Sequence, residues 1–252
     1  MDFSLSGKVA LVTGGSRGIG KAIAVGLAKA GADIIVASRK LEDLEKVVEE
    51  INGLGKKAVA IPANIGKMDE VNNLVNKGKD AFGKIDLLVN NAAINPNMEQ
   101  SLDATERTWD TVMNTNLKGL FFLAQGVARI MKEQGGGKIV NITSGRGLGG
   151  QVRGAHYSAT KAGMMGFAKT LSLEVAPYGI SVNSIAPGPM DTLHWRKGKS
   201  PEEIERAERE QDVRNPLLRK ILVPEDIVGT VIYLLTDASK VMTGQTIFLR
   251  SP

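Results

Sequence analysis

Tyr157 and Lys161 stand four positions apart in the segment HYSATK, residues 156–161, with only Ser158, Ala159 and Thr160 between them. On a helix, side chains at that spacing share one face, their Cβ atoms about 5–6 Å apart. A phenol and an ammonium would then point into one cleft. A free tyrosine titrates near pH 10, so acid or base work near neutrality requires a downward shift of roughly two to three units, about 3–4 kcal/mol. A neighbouring ammonium is the kind of group that supplies it. The same spacing also suits a packed tyrosine with a lysine stem laid along it, and the pair alone leaves both readings open. His156 would point about 100° around the helix from Tyr157 and is assigned to packing or surface.

A second chemistry-bearing stretch is LVTGGSRGIG, residues 11–20. Gly14, Gly18 and Gly20 allow a tight turn, a close approach to a ligand and close helix packing. The N-terminus of the helix that follows offers unpaired N–H groups to a pyrophosphate. Their spacing is G-x-x-x-G-x-G, and Ser16, Arg17 and Ile19 share the loop. The next apolar run ends in Ser38 and Arg39, with no acid before Glu42. An acid at that place serves a ribose 2′-hydroxyl, whereas arginine accommodates a 2′-phosphate. Ser38 and Arg39, with Arg17 as a second charge, therefore favour NADP over NAD, although two surface arginines would look the same.

These residues need elements to hold them. Apolar runs rich in Val and Ile recur at 8–13, 33–38, 57–61, 86–91, 138–143, 180–186 and 245–249. They are nearly continuous rather than alternating, as strands buried on both faces are. Between them Ile19, Ala22, Ile23 and Leu27 form a helical stripe, as do Leu44, Val47, Val48 and Ile51. The alternation predicts an α/β fold: a doubly wound, Rossmann-like, parallel sheet of seven strands with helices on both faces, in a single domain over 1–252. One segment, about 190–222, departs from the pattern. It is polar, yet Ser200 can cap a helix, Pro201 suits its first turn, Glu203 completes a capping box, and only Ile204 and Ala207 would face inward. It is expected to be either a surface insertion or a substrate lid over the C-terminal ends of the strands.

Composition narrows the classes. Thirty-two Lys and Arg are interleaved with 27 Asp and Glu, giving a net charge of +5 without a basic run, which argues against nucleic acid as partner. There is no Cys, and His156 and His194 are the two histidines, so thiolate chemistry is excluded and no metal site is expected. The first residues carry no basic leader, and no apolar run approaches 18 residues, so the expected setting is cytoplasmic, away from membranes.

TGGSRGIG, NNAA at 90–93, TNLKG at 115–119, Ser144 thirteen residues before Tyr157, YSATK and APGPMDT at 186–192 occur together and in order. In this the chain resembles the short-chain dehydrogenase/reductase family from Gly7 to about Leu249. The resemblance implies an oxidoreductase acting on CH–OH groups with NAD(P). Tyr157 would be the general acid or base, Ser144 would bond the reacting oxygen, and Lys161 would hold the nicotinamide ribose and depress the tyrosine pKa. Asn116 would anchor a relay water. Pro187, Gly188, Met190 and Thr192 would fix the carboxamide, Asn91 and Ala92 would line the adenosine ribose, and Asn64 with Ile65 would flank the adenine. It also implies a homo-oligomer, tetramer or dimer. Asn64 replaces a usual Asp, Ala93 a usual Gly, and the ending FLRSP is atypical, which bears on assembly more than on chemistry.

For the substrate, Arg146 could meet an anion or be a structural arginine, and Trp195 could face a ring or pack the lid. Gln151 and Arg153 are weaker candidates. The expected reaction is reversible hydride transfer to a small ketone, sugar or polyol. The alternatives are a 3-oxoacyl-[acyl-carrier-protein] reductase and a non-catalytic cofactor-binding regulator. Carrier-protein reductases tend to have basic residues where this chain has Gly135 and Tyr178, which favours the small molecule.

Overall fold

The computed structural model describes residues 2–96, 99–196, 199–214 and 221–249, without the side chains of 193, 194 and 211–214. Parts of the expected 190–222 segment, and the last three residues of the FLRSP ending, lie outside the described residues.

Strand β1 (Val9–Thr13) leads through the glycine loop into helix α1 (Gly18–Lys29), followed by β2 (Asp33–Ser38), α2 (Leu41–Gly53), β3 (Ala58–Pro62), α3 (Met68–Phe82) and β4 (Leu87–Asn90). Helix α4 (Glu106–Met113) runs through a π-helical turn, Asn114–Lys118, into α5 (Gly119–Glu133). Then come β5 (Gly137–Ile142), α6 (Ala155–Val175), β6 (Ile180–Ala186), α7 (Leu193–Arg196), α8 (Pro201–Arg214), α9 (Val228–Leu235) and β7 (Thr246–Phe248). All seven strands coincide with the apolar runs, within a residue or two at each end.

The seven form one parallel sheet in the order β3-β2-β1-β4-β5-β6-β7. Successive residues of each strand alternate between two cores, which is why the runs read as continuously apolar. Ala10, Val12, Val36, Val89 and Ile185 pack under Ile23, Leu27, Leu44, Val47 and Val231 of α1, α2 and α9. Leu11, Ile35, Leu88, Ile139 and Val182 pack under Val71, Leu74, Leu123, Val127 and Leu171 of α3, α5 and α6. Chain direction across the sheet reverses between β1 and β4, so a crevice opens at the C-terminal ends of those strands, where sheets of this type bind ligands. Among the described residues no helix is long and apolar enough to cross a membrane.

The 190–222 segment leaves the sheet after β6 and returns to its starting point. Met190 bridges to Leu222, and the Asp191 N–H donates to the Leu222 carbonyl at 2.7 Å. The capping box forms as anticipated: Ser200 N–H donates to Glu203 Oε2 at 2.8 Å and Glu203 N–H to Ser200 Oγ at 3.2 Å. Of residues 201–210, only Ile204 and Ala207 are partly buried.

Gly119 opens α5 directly against the β3–α3 loop, and an added Cβ would collide with the Ile65 carbonyl oxygen. Gly119→Ala should therefore destabilise the chain even though alanine is the better helix former by about 1 kcal/mol. With both backbones needing to shift, the expected net loss is about 2 kcal/mol, read as a fall in Tm of about 4–8 °C by calorimetry. An unchanged Tm would contradict this packing.

Candidate active site

One continuous cleft of about 2320 Å³ runs along the C-terminal ends of the strands. Its size exceeds the roughly 300–1,000 Å³ of a pocket for one drug-sized ligand. Except for Asn116 and Arg153, every residue the sequence singled out for cofactor, catalysis or substrate lines it, from Gly14 to Thr192 and Trp195.

At one end, Gly14 and Gly18 adopt left-handed backbone conformations, φ +65° and +53°. A Cβ on Gly20 would collide with the Gly14 carbonyl oxygen, so the loop folds onto the first turn of α1 only with glycine there. Arg17 precedes that turn without a side-chain cap, and no acid occupies it, leaving its N–H groups directed at the cleft. These features fit a pyrophosphate. Thr13, which the sequence did not single out, ties this loop to β4. Its Oγ1 accepts from the N–H groups of Asn91 at 3.0 Å and Ala92 at 3.1 Å. Asn91 in turn donates its Nδ2 to the Thr13 carbonyl at 2.9 Å. The Asn91 side chain thus holds the glycine loop, and what it presents to the cleft is its position beside Ala92.

Beyond the loop, Ser38 ends β2, and Arg39 and Arg17 are exposed on the cleft rim. Neither arginine is in an ion pair among the described residues. Asn64 Oδ1 accepts from the Gly66 N–H at 3.0 Å, while the Asn64 N–H donates to Glu70 at 2.7 Å. Asn64 is thereby a turn former that still lines the cleft with Ile65.

At the other end, Ser144 follows β5 and Tyr157 and Lys161 follow in α6. Lys161 is only 2 % exposed and donates its Nζ to the Ile142 carbonyl at 3.0 Å. Gly147 brings the 144–147 turn against the α6 backbone, where a Cβ would lie 2.9 Å from the Lys161 carbonyl carbon. That contact sets Ser144 opposite Tyr157, and the two side chains are hydrogen-bonded. Burial pushes the phenol pKa up, while the Arg146 guanidinium and the Ser144 hydroxyl pull it back. The Arg146 guanidinium carbon is 5.9 Å from the ring centroid and Lys161 Nζ is 5.4 Å from it. Burial brings Lys161 itself down to about 7. Arg146, which the sequence offered for a substrate anion, is thus also a cation that pulls the Tyr157 pKa down, in the sense that the resemblance implies for Lys161.

Asn116 is completely buried behind the cleft wall, in the π turn. Its Oδ1 accepts from the Ile94 N–H and its Nδ2 donates to the Ile94 carbonyl, both at 2.8 Å, with Thr160 Oγ1 at 3.4 Å from Nδ2. The amide so clasps the strand exit after β4, and π turns of this kind recur at functional sites. His156 is 2 % exposed, which resolves it as packing. Pro187, Gly188, Met190 and Thr192 line the cleft beside Ser144, with Thr192 Oγ1 accepting from Trp195 N–H at 3.1 Å. Gln151 also lines it; Arg153 does not, and instead takes a left-handed conformation, φ +69°, in the turn before α6. Among the described residues no cluster of three or more His, Asp or Glu could hold a metal ion.

The comparisons agree with this geometry. The sequence profile of the short chain dehydrogenase family matches residues 8–203. The chain is 38% identical to the 2-dehydro-3-deoxy-D-gluconate 5-dehydrogenase of Escherichia coli K12, over 97% of this chain and 94% of that protein. It is 39% identical to the 3-oxoacyl-[acyl-carrier-protein] reductase of Synechocystis, over 96% and 95%. Among solved structures, a 7α-hydroxysteroid dehydrogenase with NADH superposes with a TM-score of 0.93 at 30% identity, covering 99% of this chain and 95% of that one. A protein from Beutenbergia cavernae ascribed NAD(P)-dependent gluconate 5-dehydrogenase activity, with NADP bound at low occupancy, gives 0.92 at 32%, over 100% and 98%.

The buried lysine makes stability depend on pH. Unfolded, Lys161 keeps its proton to about 10.5; folded, it releases it at about 7. Between those values the unfolded chain binds more protons, so stability rises with pH. The gain is as much as about 5 kcal/mol at 1.36 per unit, fully absent below pH 7. Lys161→Met removes it. The wild-type minus variant difference in unfolding free energy, measured without cofactor, should climb from pH 7 to 10. A flat difference would mean that the ammonium is not desolvated.

Proposed function

The chain belongs to the short-chain dehydrogenase/reductase family and is an oxidoreductase of the kind that acts on CH–OH groups with a nicotinamide cofactor, and from that premise we propose that it is NADP(H)-dependent and transfers hydride reversibly to and from a small-molecule ketone, sugar or polyol. The observation that carries this reading is that Tyr157, hydrogen-bonded to Ser144, faces the same cleft as the glycine cradle. When bound, the cofactor supplies or accepts the hydride.

The chain's own residues do the rest. Tyr157 gives its phenolic proton to the carbonyl oxygen in reduction and recovers it from the alcohol in oxidation. Ser144 donates to the same oxygen and stabilises its charge as the C–O bond polarises. Lys161, one helical turn beyond Tyr157, bonds the nicotinamide ribose. With a pKa near 7, it also exchanges protons readily at neutral pH. Asn116 anchors the path of that proton towards solvent. Gly14, Ser16, Gly18, Ile19 and Gly20 hold the pyrophosphate, and Arg17, Ser38 and Arg39 receive a 2′-phosphate. Ala92 and Asn91 flank the adenosine ribose, with Asn64 and Ile65 beside the adenine. Pro187, Gly188, Met190 and Thr192 fix the carboxamide, and the 190–222 segment serves as the lid. The proposed setting is a cytoplasmic homo-oligomer.

A second reading, reduction of a 3-oxoacyl group on a carrier protein, is favoured by the Synechocystis relative and by Lys132, whose ammonium sits 4.0 Å over the Tyr178 ring. That pair offers a basic spot where the sequence alone had none. It lies, however, at the N-terminal ends of β5 and β6, opposite the cleft within one chain.

Tyr157→Phe should lower kcat/KM about 10²- to 10⁴-fold while NADPH binding, followed by its fluorescence, is kept. Activity equal to wild type would refute the assignment of the acid. Arg39→Asp should weaken NADPH binding and spare NADH; equal affinities for the two cofactors before the substitution would remove the NADP preference. Turnover confined to carrier-linked acyl thioesters, absent with free ketones, would select the second reading.

A further inference from the structure

Among the described residues, two aromatic side chains line the cleft, Tyr157 and Trp195. The first is assigned to the proton. The backbone of Trp195 is held on both sides: its N–H donates to Thr192 Oγ1 at 3.1 Å, and Lys199 Nζ donates to its carbonyl at 2.6 Å. Thr192 stands beside the phosphate cradle, its Cγ2 3.7 Å from the point where a Cβ on Gly18 would lie. The Gly145 N–H donates to the Pro187 carbonyl at 3.4 Å, which ties the turn carrying Ser144 to the start of the stretch that leads to Thr192. Trp195 is therefore anchored, one helical turn beyond Thr192, to both ends of the cleft.

The indole is fixed as well. Lys199 Nζ lies 3.4 Å from its ring centroid, so an ammonium covers one face. Burial and then the charge of Arg146 lower the pKa of that lysine, while the Glu203 carboxylate raises it. With a carbonyl, an indole and a carboxylate already acting on it, Lys199 is a brace for the ring. What the partly buried indole has left to offer a ligand is its opposite face, a flat apolar surface. The cleft wall around it is mixed, with Ile94, Pro96 and Val152 apolar and Gln151 and Arg206 polar. Such a lining matches a ligand divided in the same way, a ring whose C–H face is apolar and whose edge carries oxygen.

We propose that the reacting carbonyl or secondary alcohol belongs to a saturated ring, carbocyclic or sugar-like, whose C–H face lies on the Trp195 indole opposite Lys199 while its oxygen meets Ser144 and Tyr157. The proposal rests on the hydride-transfer reading above and narrows it to cyclic ketones, sugars and polyols. A ring meets the indole without freezing rotatable bonds, whereas an open chain of the same carbons must give up that freedom to lie flat. Trp195 is thus the residue that separates ring from chain, and it does so from the segment proposed as a lid.

The test compares ring with chain at equal carbon number: cyclohexanone with 2-hexanone by NADPH oxidation, and myo-inositol with D-glucitol by NADP reduction. Each pair is run on the wild type, Trp195→Ala and Trp195→Phe. The wild type should favour the ring by about tenfold in kcat/KM in at least one pair, and which pair does so tells a carbocycle from a sugar-like ring. Trp195→Ala should abolish most of that ring-over-chain ratio, chiefly through KM, and Trp195→Phe should keep most of it, with NADPH binding retained in both. A ratio near one in both wild-type pairs, or a ratio that Trp195→Ala leaves unchanged, overturns the ring proposal and leaves hydride transfer standing. Loss of NADPH binding in Trp195→Ala assigns the indole to the cofactor and overturns it too. No turnover with the panel, nor with any wider set of ketones and alcohols, overturns both.

Discussion

The site depends on a lysine side chain buried where an ammonium is costly. Lys161 reaches through the interface between α6 and the sheet to the Ile142 carbonyl at the end of β5. Ser144 is two residues beyond that carbonyl, and Tyr157 is one helical turn before the lysine. One hydrogen bond therefore joins the two segments that carry the reacting groups, and Gly147 fixes their separation by letting the turn touch the helix backbone. Burial that lowers the lysine to about 7 is the consequence of using it as this brace. It also makes the same amine a ready proton donor and acceptor near neutrality, so the structural and chemical roles share one physical cause.

The phosphate end is braced separately and by neutral groups. Thr13 and Asn91 stitch the glycine loop to the exit of β4 through three hydrogen bonds of 2.9–3.1 Å. Asn116 clasps the next residues of that exit through Ile94. The segment after β4 is thus held at both sides, by the loop that cradles phosphate and by the π turn that abuts α6. Because β1 and β4 are neighbours in the sheet, these braces and the Lys161 brace open onto one crevice. A doubly wound order, with no rearrangement, is enough to bring a phosphate cradle and an acid/base pair to the same side.

Much of this was legible in the sequence because it depends on local rules. Strands buried on both faces read as nearly continuous apolar runs, and all seven strands coincide with such runs, although β6 also carries Ser181, Asn183 and Ser184. The α8 capping box follows from its Ser-x-x-Glu spacing, and the inward Ile204 and Ala207 follow from 3.6-residue periodicity. What stayed hidden depends on where side chains turn after the backbone is placed. Asn91 and Asn116 were assigned to ligand or water, yet their amides bond to the backbone at Thr13 and Ile94, contacts between residues 78 and 22 positions apart. The π turn has no composition signal, since it differs from its flanking helices only in hydrogen-bond register. Lys199 was indistinguishable from other surface lysines until the Trp195 indole beneath it was in view.

The segment from Met190 to Leu222 differs from the rest in what holds it. Its base is secured in the core by buried Met190, Ile221 and Leu222. Its described outer part relies on a capping box, the Asp191–Arg196 pair and an exposed Arg209–Glu205 pair. Exposed ion pairs contribute about 0–1 kcal/mol each, and among the described side chains of α8 the two that are partly buried add little apolar burial. Among the described residues, little of the fold's stability therefore depends on the outer part of this segment, while its base is held in the core. A bound ligand that engages Trp195 needs only a modest difference in interaction energy to select one position of this segment. The frame that aligns Ser144, Tyr157 and Lys161 is held by separate contacts, the Lys161–Ile142 hydrogen bond and the close approach at Gly147, and does not depend on this segment.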